Sequence, residues 1–275
     1  MRSRPPIVRP VFVTGCGRSG TTILGSTLAQ HPDVVYLNEP RAIWADAYAR
    51  TDVWSERATI RGGQLALDAG DATPGCRRRV HEAFGAALRD RPGRLVEKLP
   101  ANNFRLEFLE ACFPDAAYVH IARHGVEVAR SIERECAHGW YGAGDYKWRE
   151  LVRHAYELSA ELGALAASAA DGYERGLIEW RLSVEAAERF RATVPPTRWH
   201  DVRYEALVAD PVAVLRRLLG FLDLPPDDRV LGFARTEIAR RSPAVADVTA
   251  RTAALGGSLL ARLGYAGTDM RAALS

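Results

Sequence analysis

Four apolar and β-branched residues, Val11–Thr14, run without interruption into Gly15, the pattern of a buried strand feeding a glycine turn. The period then changes. Across residues 21–30, Ile23, Leu24, Thr27 and Leu28 recur at helical spacing, and "HPD" from His31 ends the element. The same reading gives a strand at 34–37 and a helix over 42–48. Residues 51–79 carry weak periodicity and several glycines, and are read as a lid or insert; a helix over 80–88 follows. Leu95 and Val96 lead into "EKLP" as a strand end, 104–112 is a helix, 116–123 a strand and 126–134 a helix. Further helices are expected over 150–168, 177–191 and 211–222, with a strand inside "TRWHDVRYEALV". Strands alternating with helices define an α/β chain whose central parallel sheet is covered by helices on both faces. No internal repeat, low-complexity stretch or linker divides the 275 residues, so a single domain is expected behind a flexible segment at 1–10.

Composition narrows the function. Hydrophobic residues at 47% and charged residues at 26% are those of an ordinary globular chain. A net charge of +3 suits an anionic ligand and falls short of the basicity of a nucleic-acid binder. The 37 basic residues include only two lysines, Lys98 and Lys147, which makes each of them informative. Cys16, Cys76, Cys112 and Cys136 form no C-x-x-C pair, so neither zinc nor a disulfide framework is implied. "MRSRPPIVRP" has no apolar run behind it, and no stretch approaches the roughly 18 apolar residues of a membrane span. A cytoplasmic, reducing location is the expectation.

The turn after the first strand carries the chemistry. Gly15 and Gly20 have the G-x-x-x-x-G spacing of a phosphate-binding loop, but Thr21 stands where an NTP-binding loop needs lysine. Gly15, Gly17 and Gly20 let the backbone approach a ligand closely, and the N–H groups that follow make an anion nest at a helix N-terminus. Thr21 and Thr22 add hydroxyls, and Arg18 adds a delocalised cation. Without the lysine or a convincing metal-binding aspartate, magnesium-dependent chemistry on a triphosphate is disfavoured. Such a cradle holds a phosphate that is kept rather than transferred.

"GCGRSGTTIL" resembles the 5′-phosphosulfate loop of sulfotransferases that use 3′-phosphoadenosine 5′-phosphosulfate (PAPS), in the arginine-bearing variant of tyrosylprotein sulfotransferases and bacterial relatives. "VHIARHGVEVARSI" is similar to that family's 3′-phosphate motif, a strand ending in arginine with serine eight residues on, here Arg123 and Ser131. "VEKLPANNF" resembles the segment that supplies a catalytic lysine or histidine, which places Lys98 beside the bridging oxygen. "YLNEPRAIW" matches a glutamate-containing turn followed by arginine, which implies Glu39 as the base and Arg41 as a substrate contact. Glu97 is the alternative base, although strand alternation points it to the opposite face from Lys98. "VRYEALVADP" implies Tyr204 as a nucleotide contact, and "IARRSPAV" implies Ser242 near the 5′-phosphate. The C-terminal "RKG" loop of cytosolic sulfotransferases has no counterpart, and Arg134, Arg240 or Arg241 would take its place.

The resemblance implies a sulfotransferase fold and in-line transfer of a sulfuryl group from PAPS to a hydroxyl. Gly17, Arg18, Ser19, Gly20, Thr21 and Thr22 would hold the 5′-phosphate, Arg123 and Ser131 the 3′-phosphate, and Glu39, Lys98 and Arg18 would carry catalysis without a metal. A small-molecule or lipid acceptor is expected, with no nucleic-acid partner; homodimers are common among such relatives. Two other readings stay open: a small-molecule kinase using ATP and magnesium, and a non-catalytic nucleotide-binding relative. Among the histidines, His120 reads as core, His124 as a loop residue and His31 as a helix C-terminal residue favoured by the dipole. No set has metal-ligand spacing. Trp140, Tyr141, Tyr146 and Trp148 form either an aromatic wall for a ligand or plain packing.

Overall fold

The computed structural model describes residues 7–88, 91–238 and 252–265. Ser242, Arg240 and Arg241 lie outside the described residues.

Five strands form the sheet: β1 (Val11–Thr14), β2 (Val34–Asn38), β3 (Arg94–Lys98), β4 (Ala117–Ala122) and β5 (Trp199–Arg203). All pairings are parallel, in the order β2-β3-β1-β4-β5. β1 is central, with Val11 opposite Val96 on one side and Ala117 on the other. Alternation divides the core between the two faces. Phe12, Leu95 and Tyr118 meet Phe84, Phe108 and Trp180 on one face, while Val13, Val96 and Ile121 meet Leu24, Leu28 and Leu218 on the other. Burial on both faces is why these strands read as continuous apolar runs.

α1 (Thr21–Leu28) follows β1, and α2 (Arg41–Ala47) and α3 (Pro74–Leu88) lie between β2 and β3. α4 (Leu106–Cys112) precedes β4. α5 (Gly125–Cys136), α6 (Tyr146–Leu158), α7 (Ala160–Ala167) and α8 (Gly172–Arg191) lead to β5. α9 (Tyr204–Ala209), α10 (Pro211–Phe221) and α11 (Asp228–Glu237) follow it, and α12 (Ser258–Arg262) is the last described helix.

Two expectations need correction. The helix read over 150–168 is two helices: Ser159 is extended (φ −164°, ψ 151°) and its hydroxyl caps α7 by accepting from Leu162 N. Helix α8 starts earlier than its apolar period, because Asp171 caps it through Glu174 N. The stretch read as a lid or insert begins as a packed loop and ends in α3. Its Val53 and Leu65 are fully buried. Arg105, itself 1% exposed, binds the loop's backbone, donating to Leu65 O at 3.0 Å, Thr51 O at 2.8 Å and Gln64 O at 2.9 Å.

Candidate active site

The loop after β1 turns on residues that only glycine tolerates well. Gly15 has φ 140° and Gly20 φ 96°. A Cβ on Gly15 would stand 2.4 Å from the carbonyl oxygen of Ile121, which is fixed in β4. Gly15→Ala is therefore expected to cost about 2–3 kcal/mol. That corresponds to a fall of roughly 5–10 °C in Tm, read by differential scanning calorimetry. The Gly15 amide donates to Asn103 Oδ1 at 2.9 Å, so the loop is tied to the turn after β3. Gly20 begins α1 with no side-chain cap and no acidic residue in the first turn, leaving the positive end of the helix open. Among the described residues the buried Ser19 hydroxyl has no hydrogen-bond partner, as expected of a group kept for a ligand.

Two clusters flank this loop. The first is a cleft of about 670 Å³ lined by Thr21, Thr22, Arg123, Ser131, Arg134 and Tyr204. Arg123 lies 4.4 Å over the Tyr204 ring and donates to Arg18 O at 3.1 Å. The guanidinium of Arg18, expected to serve as a catalytic cation as well as a phosphate ligand, points into this cleft, with Nε donating to Ser131 Oγ at 3.0 Å and an ion pair to Glu135 at 3.2 Å. Arg123 has its own carboxylate, Glu127, at 3.5 Å. Phe233 on α11 also lines the cleft. Sequence reasoning missed it, because nothing local separates it from the packing residues of an amphipathic helix.

The second cluster sits at the C-terminal end of β3. Lys98 Nζ donates to Glu39 Oε1 at 2.7 Å and to Thr22 Oγ1 at 3.0 Å. The other Glu39 oxygen accepts from Arg41 at 2.6 Å. Glu39 holds a left-handed backbone (φ 47°) after β2, and its amide donates to Lys98 O at 2.7 Å, which fixes the turn to the strand beside it. Burial opposes ionisation of Glu39, but Lys98 and then Arg41 outweigh it and hold the carboxyl below its usual range. Burial also lowers the Lys98 ammonium, against the pull of Glu39. Glu39 is thus ionised at neutral pH, and its carboxylate favours the charged form of Lys98.

Glu97 faces the other way. It is fully buried, accepts from Trp44 Nε1 at 2.9 Å and Asn102 Nδ2 at 2.8 Å, and burial pushes its carboxyl up to about 8. Of the aromatic group, Tyr141 and Trp148 are core packing. Trp140 is half-buried against the loop, and a Cβ on Gly17 would stand 2.5 Å from its ring. Its indole donates to Glu179 at 2.9 Å, and the Lys147 ammonium, paired with Glu179 at 2.5 Å, lies 4.6 Å from the ring. The exposed side of Glu39 is bordered by Arg41, stacked 4.5 Å over Trp54. His120 is buried against Trp199 and pushed down by burial to about 4, and His124 caps α5 through Val126 N. His31 follows the end of α1, its amide donating to Leu28 O at 3.0 Å, and its ring is buried and bonded to Pro225 O at 3.0 Å. Among the described residues no cluster of three or more histidine, cysteine or acidic side chains is placed to hold a metal ion. No described helix is long and apolar enough to cross a membrane.

A glycine loop without its lysine opens a helix beside the central strand of a 2-3-1-4-5 parallel sheet, the architecture of an α/β protein with a phosphate-loop-like turn. The chain belongs to the sulfotransferase family: the model of that family matches residues 10–228. It is 26% identical over 223 residues to protein-tyrosine sulfotransferase A of Caenorhabditis elegans, covering 80% of this chain and 51% of that one. It is also 26% identical over 265 residues to an uncharacterized protein of Aquifex aeolicus, covering 84% of this chain and 28% of that one. The chain thus spans about half or less of the length of these relatives. Among solved structures, the sulfotransferase domain from the curacin biosynthetic pathway superposes with a TM-score of 0.58 at 17% identity, covering 93% of this chain and 98% of that one. A sulfotransferase from Alicyclobacillus acidocaldarius gives 0.53 at 16% identity, covering 96% and 100%. At those identities the likeness establishes the fold.

Proposed function

We propose that this chain transfers a sulfuryl group from PAPS to an acceptor hydroxyl. The observation that carries the reading is Lys98 held between Glu39 and Thr22, at 2.7 and 3.0 Å, beside a phosphate loop that lacks its own lysine. A base, a cation and a phosphate cradle then meet where a sulfuryl group would move.

The residues present fit such a donor. The open start of α1, with the unpartnered Ser19 hydroxyl, and Thr21 and Thr22 suit a 5′-phosphate. Arg18, Arg123 and Ser131 suit a second phosphate across the cleft, with Tyr204 and Phe233 as flat surfaces. When bound, PAPS supplies the activated sulfuryl group and a phosphate leaving group. Glu39, already ionised, takes the acceptor proton as the acceptor oxygen bonds to sulfur and the bond from sulfur to the bridging oxygen breaks. Protonation neutralises Glu39 and loosens its hold on Lys98, which then faces the negative charge gathering on the departing phosphate. The acceptor is any hydroxyl that reaches Glu39 past Arg41 and Trp54, on a sugar, a lipid or another small molecule.

Isothermal titration with 3′-phosphoadenosine 5′-phosphate (PAP) tests the donor. Micromolar or tighter binding, insensitive to chelator, is expected. Arg123→Ala should weaken it about 10- to 100-fold, the loss of charge-assisted hydrogen bonds worth about 1.5–3 kcal/mol. Preference for ATP with magnesium would replace this reading with a kinase.

A further inference from the structure

The buried carboxyl group of Glu97 takes no part in that chemistry, yet it sits one residue from Lys98 and touches every part of the site indirectly. We infer that Glu97 and Trp44 form a brace that positions the Glu39–Lys98 pair. The inference rests on the sulfuryl-transfer reading and concerns the same site.

Trp44 is 1% exposed and packs edge-on against Phe84 at 4.7 Å, so its indole N–H has no route to solvent and meets Glu97 Oε1 at 2.9 Å. An unpaired buried N–H or carboxyl group would be costly, so each secures the other. Trp44 belongs to α2, whose first turn follows Glu39: Glu39 O accepts from Arg41 N at 2.7 Å, and Pro40 O from Trp44 N at 3.1 Å. The indole bond therefore fastens the base-bearing turn to the lysine-bearing strand. The second Glu97 oxygen accepts from Asn102 at 2.8 Å, and the next residue, Asn103, holds the Gly15 amide of the phosphate loop at 2.9 Å. One carboxyl group thus joins the turn of Glu39, the strand of Lys98 and the turn that steadies the loop. Glu97 is 0% exposed, which excludes contact with an acceptor in this arrangement.

With only two lysines in the chain, the test has a built-in reference. The full chain, Trp44→Phe and Glu97→Gln are labelled with acetic anhydride, and the acetylation rates of Lys98 and Lys147 are read by mass spectrometry. Lys147 is buried against Glu179, away from the brace, and reports general loosening. Both variants should acetylate Lys98 about 5- to 20-fold faster with Lys147 within twofold of the parent. Hydrolysis of PAPS to PAP, with water as the acceptor, should fall about tenfold or more in kcat, while the Kd for PAP stays within threefold. Equal acceleration at both lysines would reduce the pair to core packing and overturn the brace, as would unchanged labelling of Lys98. Loss of turnover in Glu97→Gln alone, with Trp44→Phe like the parent, would also overturn it, making Glu97 a group that meets substrate. Absence of PAP binding by the parent would sink the transfer reading instead, and the labelling would still decide the brace.

Discussion

Lys98→Met is expected to lower sulfuryl transfer by about a thousandfold while leaving PAP affinity within about threefold of the parent. The expectation follows from where the ammonium sits. Its partners are Glu39 and the Thr22 hydroxyl, and its side chain is 1% exposed, so little water is available to replace it. A fixed cation in a water-poor site stabilises charge that appears only as the bridging bond breaks, and removing one such donor costs about 10²–10³ in rate. Loss of its hold on Glu39 adds to that. The ground-state donor keeps its phosphate contacts, so the damage falls on kcat. Glu39→Gln should be comparably slow, within the roughly 10²–10⁴ of general-base catalysis. The pH profile separates the two variants. Lys98 and Arg41 hold the Glu39 carboxyl below its ordinary value, so parental activity persists into mild acid and fails only as Glu39 protonates. Lys98→Met should move that acid limb upward, because burial then acts on Glu39 with Arg41 alone opposing it. A limb that stays in place in Lys98→Met would remove Lys98 from the pair.

Arg105→Leu should destabilise the fold by about 3–5 kcal/mol, the cost of stranding several buried backbone acceptors at once. The guanidinium is the partner of the Thr51, Gln64 and Leu65 carbonyls, and no water replaces it in the core. Burial already pulls its pKa down to about 10, a sign of how enclosed the cation is. A fall of roughly 10–15 °C in Tm is expected by calorimetry, with proteolytic cleavage appearing first within 51–71. Cleavage elsewhere, with Tm unchanged, would mean that the loop is held by its apolar residues alone.

The strands and the phosphate loop were legible because their signals are local. An apolar run into Gly15 and a hydroxyl pair after Gly20 describe their own geometry, and the strand that ends before Arg123 does the same. Lys98 and Glu39 were legible as a pair only through family resemblance; their meeting is set by the parallel register of β2 on β3, which places Asn38 opposite Lys98. The break at Ser159 was hidden because apolar spacing continues through it, and the cap is visible only once the extended backbone is seen. The packing of 51–71 was hidden for a similar reason. Glycines and weak periodicity look the same in a hinged flap and in a loop tied down by a distant arginine together with Tyr146 and Glu150. The direction of Arg18 was also beyond the sequence: a loop arginine can reach either phosphate, and its contacts with Ser131 and Glu135 are tertiary.

Those contacts have a consequence for the cleft as an ion exchanger. Arg18 and Arg123 each already hold a glutamate of α5, Glu135 and Glu127, on either side of Ser131. A dianion entering there would take over cations which carboxylates have kept oriented, and would hand those carboxylates back to water or to other partners. The arginines need little rearrangement to receive it. Much of the electrostatic gain of binding is spent in the swap, so selectivity rests on geometry: a planar carboxylate offers two oxygens to one guanidinium, whereas a tetrahedral phosphate offers three oxygens to two guanidiniums and a hydroxyl together. A cleft built this way would favour a phosphate over a carboxylate of equal charge.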